Sequence, residues 1–443
     1  MDYHYPPLVP RYISLFNALR MVQNPIPILS NNLKRYGKSY TFHIGGLQKG
    51  IVTTEPAFIQ HVLQKNHRNY RKSKIQTDIL GHYIGQGLLT SDGAYWLRQR
   101  RLIQPAFHRD KLEHLIRIMA EEVNRYFSTQ WQAGQTVDMY REMHTLAFRV
   151  VAKSLFGTNV SEELLRILSE NITIVQRFIT RRIRQPYLHP WFVLSGIMRK
   201  HDIVSQHSHD LLRQVIRARK ESGEVHNDLL DLLLSSRYED TGELMNEQQV
   251  LEESLILFIA GHETSANALT WCFYLLSQHP EWCDAVRNEN VIPATTIAEL
   301  MQLNITRQVI SETMRIYPPA WIIDRLSNDE DEILGFSYPK DTFTIQYIYG
   351  VHHDEDLWPD PEHFDPGRFA ADKVKDQIPF SYLPFGGGPR LCIGNQFAML
   401  EMLLVISYVV RHYQLKLAGD HPVIQPLVTL RPKGSVLMKL MSL

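Results

Sequence analysis

The run from Gln248 to Gln278, QQVLEESLILFIAGHETSANALTWCFYLLSQ, constrains the fold more than any other part of the chain. Apolar residues recur three and four apart along its whole length, which reads as one long helix. Its middle is apolar on nearly every side, so this helix runs buried through a core rather than over a surface. The preceding sequence has the same texture. AYWLRQRRLIQPAF, KLEHLIRIMAEEVNRYF and LLDLLLSSRYED repeat the helical spacing between about residue 94 and residue 300. Earlier, SYTFHIGGLQKGIVTT alternates and carries glycines, which reads as a hairpin. After residue 317 the sequence turns to prolines, short strands and loops, and a last helix is expected from about Asn395 to Tyr413. No repeat, low-complexity tract or Gly/Ser linker divides the chain. The expected architecture is mainly α with a smaller β-rich part, as a single large domain over all 443 residues.

Composition removes several function classes. With 47 basic and 47 acidic residues, the chain lacks the basic excess of a nucleic-acid binder. Three cysteines, Cys272, Cys283 and Cys392, are too few and too odd for a disulfide framework and fit a reducing compartment. The start, MDYHYPPLVPRYISLFNALR, has no apolar targeting core. No uncharged apolar run reaches the ~18 residues of a membrane span. A soluble, cytoplasmic protein is expected.

Chemistry concentrates in PFGGGPRLCIGNQFAMLEMLLVISYVVRHY. A glycine- and proline-rich loop delivers Cys392 to the start of a helix. Glycines let the backbone take positive φ and approach a bulky flat ligand. Free amides and the positive helix end favour the thiolate, and a thiolate is a strong axial donor to haem iron. The competing readings are a buried structural cysteine and a phosphate loop at Gly386 and Gly387, but no G-K-[ST] follows them.

A second constellation, Ala260-Gly261-His262-Glu263-Thr264-Ser265, sits in the middle of the long helix. Polar residues are costly there without partners. Gly261 weakens the helix locally, and the Thr264 hydroxyl can bond back to the Ala260 carbonyl and bend it. An opened turn beside an acid and an alcohol suits proton delivery. A metallopeptidase H-E-x-x-H is ruled out by Ala266 at the second histidine position. The plainer alternative is a threonine satisfying itself inside a core helix. A third constellation is SETMRIYPP, where Glu312 and Arg315 share a helix face and a Pro318-Pro319 stop follows.

Together these strings resemble the cytochromes P450, from about residue 30 to the end. Phe385, Gly388, Arg390, Cys392 and Gly394 match the family's F-x-x-G-x-R-x-C-x-G haem loop, and the Ala260 to Ser265 string resembles its [AG]-G-x-[DE]-T-[TS]. The resemblance implies the P450 fold and heme b, with Cys392 as iron ligand and Arg390 on a haem propionate. Ala260 and Gly261 would line the haem, and Glu263 and Thr264 would manage protons for dioxygen. Trp96 and Arg100 match a W-x-x-x-R whose side chains contact propionates, and Arg325 matches a further propionate arginine; plain helix packing is the other reading of Trp96. Glu312, Arg315 and Arg368 correspond to a buried network bracing the haem loop, with Gly367 replacing the usual Glu.

GQGLLTSDGAYWLRQRRLIQPAFH and GVHHDEDLWPDPEHFDPGRF resemble the fatty-acid ω-hydroxylase branch. Many animal members of that branch carry, at the position of Ala260, a Glu esterified to haem. Ala260 has no carboxylate, so haem is expected to be non-covalent. Pocket candidates are Leu255, Phe258, Ile259, Ala260, Pro319, Ala320, Trp321, Ile322 and Ile323, a largely apolar set that fits a fatty or terpenoid substrate and is equally a core.

No flavin or nicotinamide module is recognisable, so electrons are expected from a separate ferredoxin or flavodoxin with its reductase. Arg98, Arg101, Arg109 and Lys111 offer a basic stretch for it, or simply a solvated helix face. QRFITRRIRQPYLHPWFVL mixes arginines and aromatics and suggests peripheral membrane contact. The expected reaction is insertion of one oxygen atom from O2 into a hydrophobic small molecule. Its rivals are a peroxide-using peroxygenase or hydroperoxide isomerase, and a haem-binding sensor or carrier without turnover.

Overall fold

A computed structural model describes residues 3–44, 48–157, 160–290, 294 and 296–443, with backbone only at 15, 16, 18, 19, 44 and 162. Its principal helices, in chain order, are α1 (Gly93–Ile103), α2 (Arg109–Gln130), α3 (Met139–Phe156), α4 (Glu162–Arg184), α5 (Ile197–Ser222), α6 (Glu247–Gln278), α7 (Asn304–Ile316) and α8 (Asn395–His412). Helices dominate and strands are short, as expected. The contacts divide the chain into two compact units.

The larger unit holds residues 74–307, 393–422 and 434–443. Its axis is α6, and a capping box fixes where α6 begins: Asn246 Oδ1 accepts from Gln249 N at 2.9 Å, and Gln249 Oε1 accepts from Asn246 N at 3.0 Å. The helix is α-helical throughout, with no break at Gly261. It packs along α3, with the rings of Phe258 and Phe148 edge to face at 4.7 Å. Gly261 permits that approach, since a Cβ there would stand 3.1 Å from Val151 Cγ2. The glycine therefore serves packing against α3, and the local weakening expected from sequence does not open the helix.

The smaller unit holds residues 1–73, 308–392 and 423–433. Its main sheet takes β1 (Ser39–Ile44), β2 (Gln48–Thr53), β3 (Tyr70–Arg71), β4 (Ile323–Ser327) and β5 (Phe343–Gln346), in the order β1-β2-β5-β4-β3. β1 and β2 form the expected antiparallel hairpin, whose turn at 45–47 lies outside the described residues. β2 runs parallel to β5, pairing Gly50 with Phe343 and Thr53 with Gln346. Side chains alternate between two buried faces. Ile51 packs with Phe58, Val62 and Leu383 on one, and Val52 with Tyr40, Trp321 and Ile345 on the other.

Candidate active site

Between Phe385 and Cys392 the chain makes a closed loop. Gly386 and Gly388 have φ of +75° and +68°, in the left-handed region that glycine enters without strain. At Gly388 there is also no room, because a Cβ would stand 1.9 Å from the Leu63 carbonyl oxygen. Cys392 N donates to Phe385 O at 3.0 Å and Leu391 N to Gly388 O at 3.1 Å, closing the loop on itself. On this loop Cys392 and Leu391 are both exposed. Gly394 then caps α8, two residues beyond the cysteine.

The loop is anchored from beneath. Glu312 and Arg315, on α7, are fully buried and paired twice, Arg315 Nε and Nη2 each donating to the carboxylate at 2.8 Å. Asp365 N donates to Glu312 at 3.0 Å, and Arg368 Nε lies 3.4 Å away, so the three predicted network residues are brought together. Gly367, where a Glu was expected, donates its N–H to Asp365 Oδ1 at 2.9 Å and leaves the network intact. Sequence reasoning missed His352, whose Nε2 accepts from Leu383 N at 2.9 Å, just before the loop. Its only signal was its place in GVHHDEDLW.

On α6, Thr264 Oγ1 donates to Ala260 O at 2.9 Å, as expected. The neighbouring Glu263 is buried and accepts from Gln176 Nε2, on α4, at 2.8 Å. Successive helix residues diverge by about 100°, and the two side chains do point to different partners. His262 is buried among Phe148, Phe258 and His144, and burial lowers its pKa and keeps it neutral. No group of three or more His, Cys, Asp or Glu side chains that could hold a metal ion occurs among the described residues.

Both stretches fit a flat, largely apolar cofactor. Cys392 is exposed on its loop, and Ala260 is exposed on a helix buried over most of its length. Haem held through a thiolate is what such parts serve. The sequence profile described as Cytochrome P450 matches residues 4–438. The chain belongs to the cytochrome P450 family. Among similar proteins, cyclooctat-9-en-7-ol 5-monooxygenase of Streptomyces melanosporofaciens is 31% identical, covering 91% of this chain and 87% of its own. Pentalenene oxygenase of Streptomyces avermitilis is 29% identical over 91% and 90%. Cytochrome P450 4F4 of Rattus norvegicus is 27% identical over 99% and 89%. The chain is therefore an oxidoreductase of the P450 monooxygenase type, with the P450 fold. The family implies haem ligated by a cysteine thiolate, dioxygen and a redox partner.

The remaining candidates of this P450 separate by environment. Phe385, Arg390 and Gly394 are half-buried within or just after the loop, and Ile323 Cδ1 would lie 3.5 Å from a Cβ on Gly386. Arg325, on β4, is buried and donates to Asp324 O at 2.6 Å. Trp96 is buried in α1 and Arg100 half-buried. Arg98 stacks on Tyr238 at 3.8 Å and pairs with Asp240 at 3.2 Å, while Arg101, Arg109 and Lys111 are exposed, with Arg109 3.8 Å from Glu113.

The pocket candidates differ in burial. Leu255 and Phe258 lie in the core, Phe258 directed at α3, because the apolar stripe of α6 serves helix packing first. Trp321 donates its indole N–H to Leu427 O at 3.0 Å and packs in the sheet core. At Gly261, expected to line haem, an added Cβ would face Val151. Ile259, Ala260, Ala320, Ile322 and Ile323 retain some exposure and remain candidates.

Proposed function

We propose that this P450 inserts one atom of dioxygen into a hydrophobic, terpenoid-like small molecule, with heme b held non-covalently and Cys392 as the protein ligand. The observation that carries the reading is the exposed Cys392 on a loop closed by its own amide to Phe385 O. Haem bound there would supply redox chemistry, and a Cys392 thiolate would be its electron-donating protein ligand. The chain's residues do the rest. Arg100, Arg325 and Arg390 would meet the propionates. Ala260 offers no carboxylate for an ester bond. Thr264, whose hydroxyl donates to Ala260 O, would hold a proton at the oxygen-binding turn, and Glu263, held in place by Gln176, would relay protons to it through water.

The substrate class draws on two relatives whose names denote an alkenol and an alkene. The apolar Ile259, Ile322 and Ile323 accord with it. A fatty acid is the second reading, favoured by the ω-hydroxylase-like stretches around Trp96 and Arg368. The retained Glu263–Thr264 pair argues against peroxide-driven chemistry. Electrons would come from an acidic ferredoxin or flavodoxin with its reductase, docking on exposed Arg101, Arg109 and Lys111. No helix among the described residues is long and apolar enough to cross a membrane. Exposed Tyr187, Trp191 and Leu194 would make any lipid contact peripheral, and the sparse cysteines fit the cytoplasm.

The test is optical. Reduced protein with carbon monoxide is expected to show the red-shifted band of haem-thiolate proteins, and Cys392→Ala to lose it. A band that survives the substitution removes Cys392 as ligand.

A further inference from the structure

Besides Glu263, the larger unit contains a second acid aimed at the same turn. Glu401 lies on α8 with no solvent exposure, and neither carboxyl oxygen has a hydrogen-bond partner among the described residues. Its neighbours one turn away on that helix are Phe397, Ala398, Leu404 and Val405, none of which can compensate a charge. A polar side chain beside the carboxyl is Ser265 of α6, which favours the ionised form and whose buried Oγ has no close hydrogen-bond partner among the described residues. Two orphaned buried polar groups facing each other mark a place for internal water, since each would otherwise cost about 1–3 kcal/mol. Ser265 directly follows Thr264, and Glu263 precedes it. At about 100° per residue the two flanks of Thr264 face opposite ways. Glu263 therefore serves the α4 side and Ser265 the α8 side.

We propose that Glu401 is a buried proton-holding residue that reaches the Thr264 turn through water and the Ser265 hydroxyl, a second route independent of Glu263. The inference rests on the P450 reading of that turn. In one passage the Glu401 O–H bond breaks and its proton goes to water. The water gives a proton to Ser265 Oγ, and Ser265 releases its own toward Thr264. The carboxylate left behind recovers a proton from solvent, because burial strongly favours its neutral form. Burial pushes the Glu401 carboxyl up to about 8, so it carries its proton at neutral pH. Glu401 touches no reacting atom, so it is a positioning and supply residue.

The test is difference infrared spectroscopy of the holoenzyme at pH 7, in H2O and D2O, on the parent, Glu401→Gln and Ser265→Ala. The parent is expected to show a neutral-carboxyl band that moves in D2O, vanishes in E401Q and shifts in S265A. E401Q is further expected to lose several-fold in product per NAD(P)H, with its substrate-induced spin shift unchanged. A parent without that band, a band unmoved in S265A, or E401Q as well coupled as the parent would each overturn the proposal. If E401Q does not fold, the S265A band decides alone. The infrared bands do not depend on the iron ligand. A parent that lacks the carbon monoxide band but keeps the infrared pattern would thus fail on Cys392 and not on Glu401.

Discussion

Arg315 and His352 each donate a side-chain hydrogen bond to the other's backbone carbonyl, Arg315 Nη1 to His352 O at 2.7 Å and His352 Nδ1 to Arg315 O at 3.1 Å. With Nε2 accepting from Leu383 N, the imidazole is fixed as the neutral Nδ1–H tautomer. One ring so ties the α7 ion pair to the segment leading into the cysteine loop. His352→Ala strands one buried donor, the Leu383 N–H, and one buried acceptor, the Arg315 carbonyl, while the Arg315 bond to the residue-352 carbonyl is kept. Each stranded group costs about 1–3 kcal/mol, so the variant is expected to melt several degrees lower and to lose haem on gel filtration. A melt and haem content equal to the parent's would show that the ring is dispensable.

Acid should destabilise the protein before its carboxylates titrate. Burial holds the His352 pKa well below its usual value, with His353 and Arg315 adding to the effect, and burial lowers His353 to about 4. In the unfolded chain both bind a proton below about 6.5, while the folded protein resists. Stability is thus full above about pH 6.5 and falls as pH drops from there toward 4, by up to ~1.4 kcal/mol per pH unit for each histidine. Urea midpoints measured from pH 7.5 to 4.5 check this. In His352→Asn the slope should flatten.

Glu312→Ala is expected to be among the most damaging single changes. It leaves the Arg315 guanidinium buried without its carboxylate, which costs roughly 3–5 kcal/mol. Little soluble holoprotein should be recovered, and circular dichroism of what remains should show reduced cooperativity. Normal yield and melting would mean that the backbone carbonyls of His352 and Pro361 suffice to hold Arg315.

Two glycines of the haem-loop string should differ sharply. Gly388→Ala combines positive φ with a collision against Leu63 O and should abolish the thiolate band. Gly394→Ala meets only Phe107, at 3.7 Å, and has an ordinary φ of −91°. It should cost no more than ~1 kcal/mol, read from thermal melts, and keep the band. Equal tolerance at both sites would contradict the steric account.

Thr264→Ala should damage the use of oxygen more than the binding of substrate. The hydroxyl contacts only its own helix at Ala260 O, so its loss should leave the substrate-induced spin shift nearly unchanged. NAD(P)H consumption should persist while hydrogen peroxide replaces product. Coupling equal to the parent's would remove Thr264 from proton handling.

The parts of the site that depend on local sequence were readable before any coordinates. A capped apolar helix, a glycine loop before a cysteine, and an acid and an arginine three apart all write their geometry into neighbouring residues. α6 begins within one residue of the expected start, and α8 ends within one residue of the expected end. Relationships between distant segments were not readable. His352 meets Leu383, Arg98 lies on Tyr238, Gly261 makes room for Val151, and Glu401 faces Ser265. In each pair one partner sits on a different element, and only packing selects it. Nor does apolar spacing alone say which side of a buried helix or strand meets a ligand: Phe258 packs against Phe148 of α3, and Trp321 packs in the sheet core.

The pairing of β2 with β5 sets an order on the birth of the molecule. Residues 1–73 belong to a unit whose other parts, 308–392 and 423–433, are synthesised late. Until Phe343–Gln346 leaves the ribosome, the β2 backbone has no neighbour on its β5 side. At roughly 5–20 residues per second that wait lasts tens of seconds. The helices of the larger unit, rich in near-neighbour contacts, can meanwhile form. The N-terminal hairpin passes this interval as an open edge, and the rate of translation through the intervening helices determines how long it is exposed to other nascent chains.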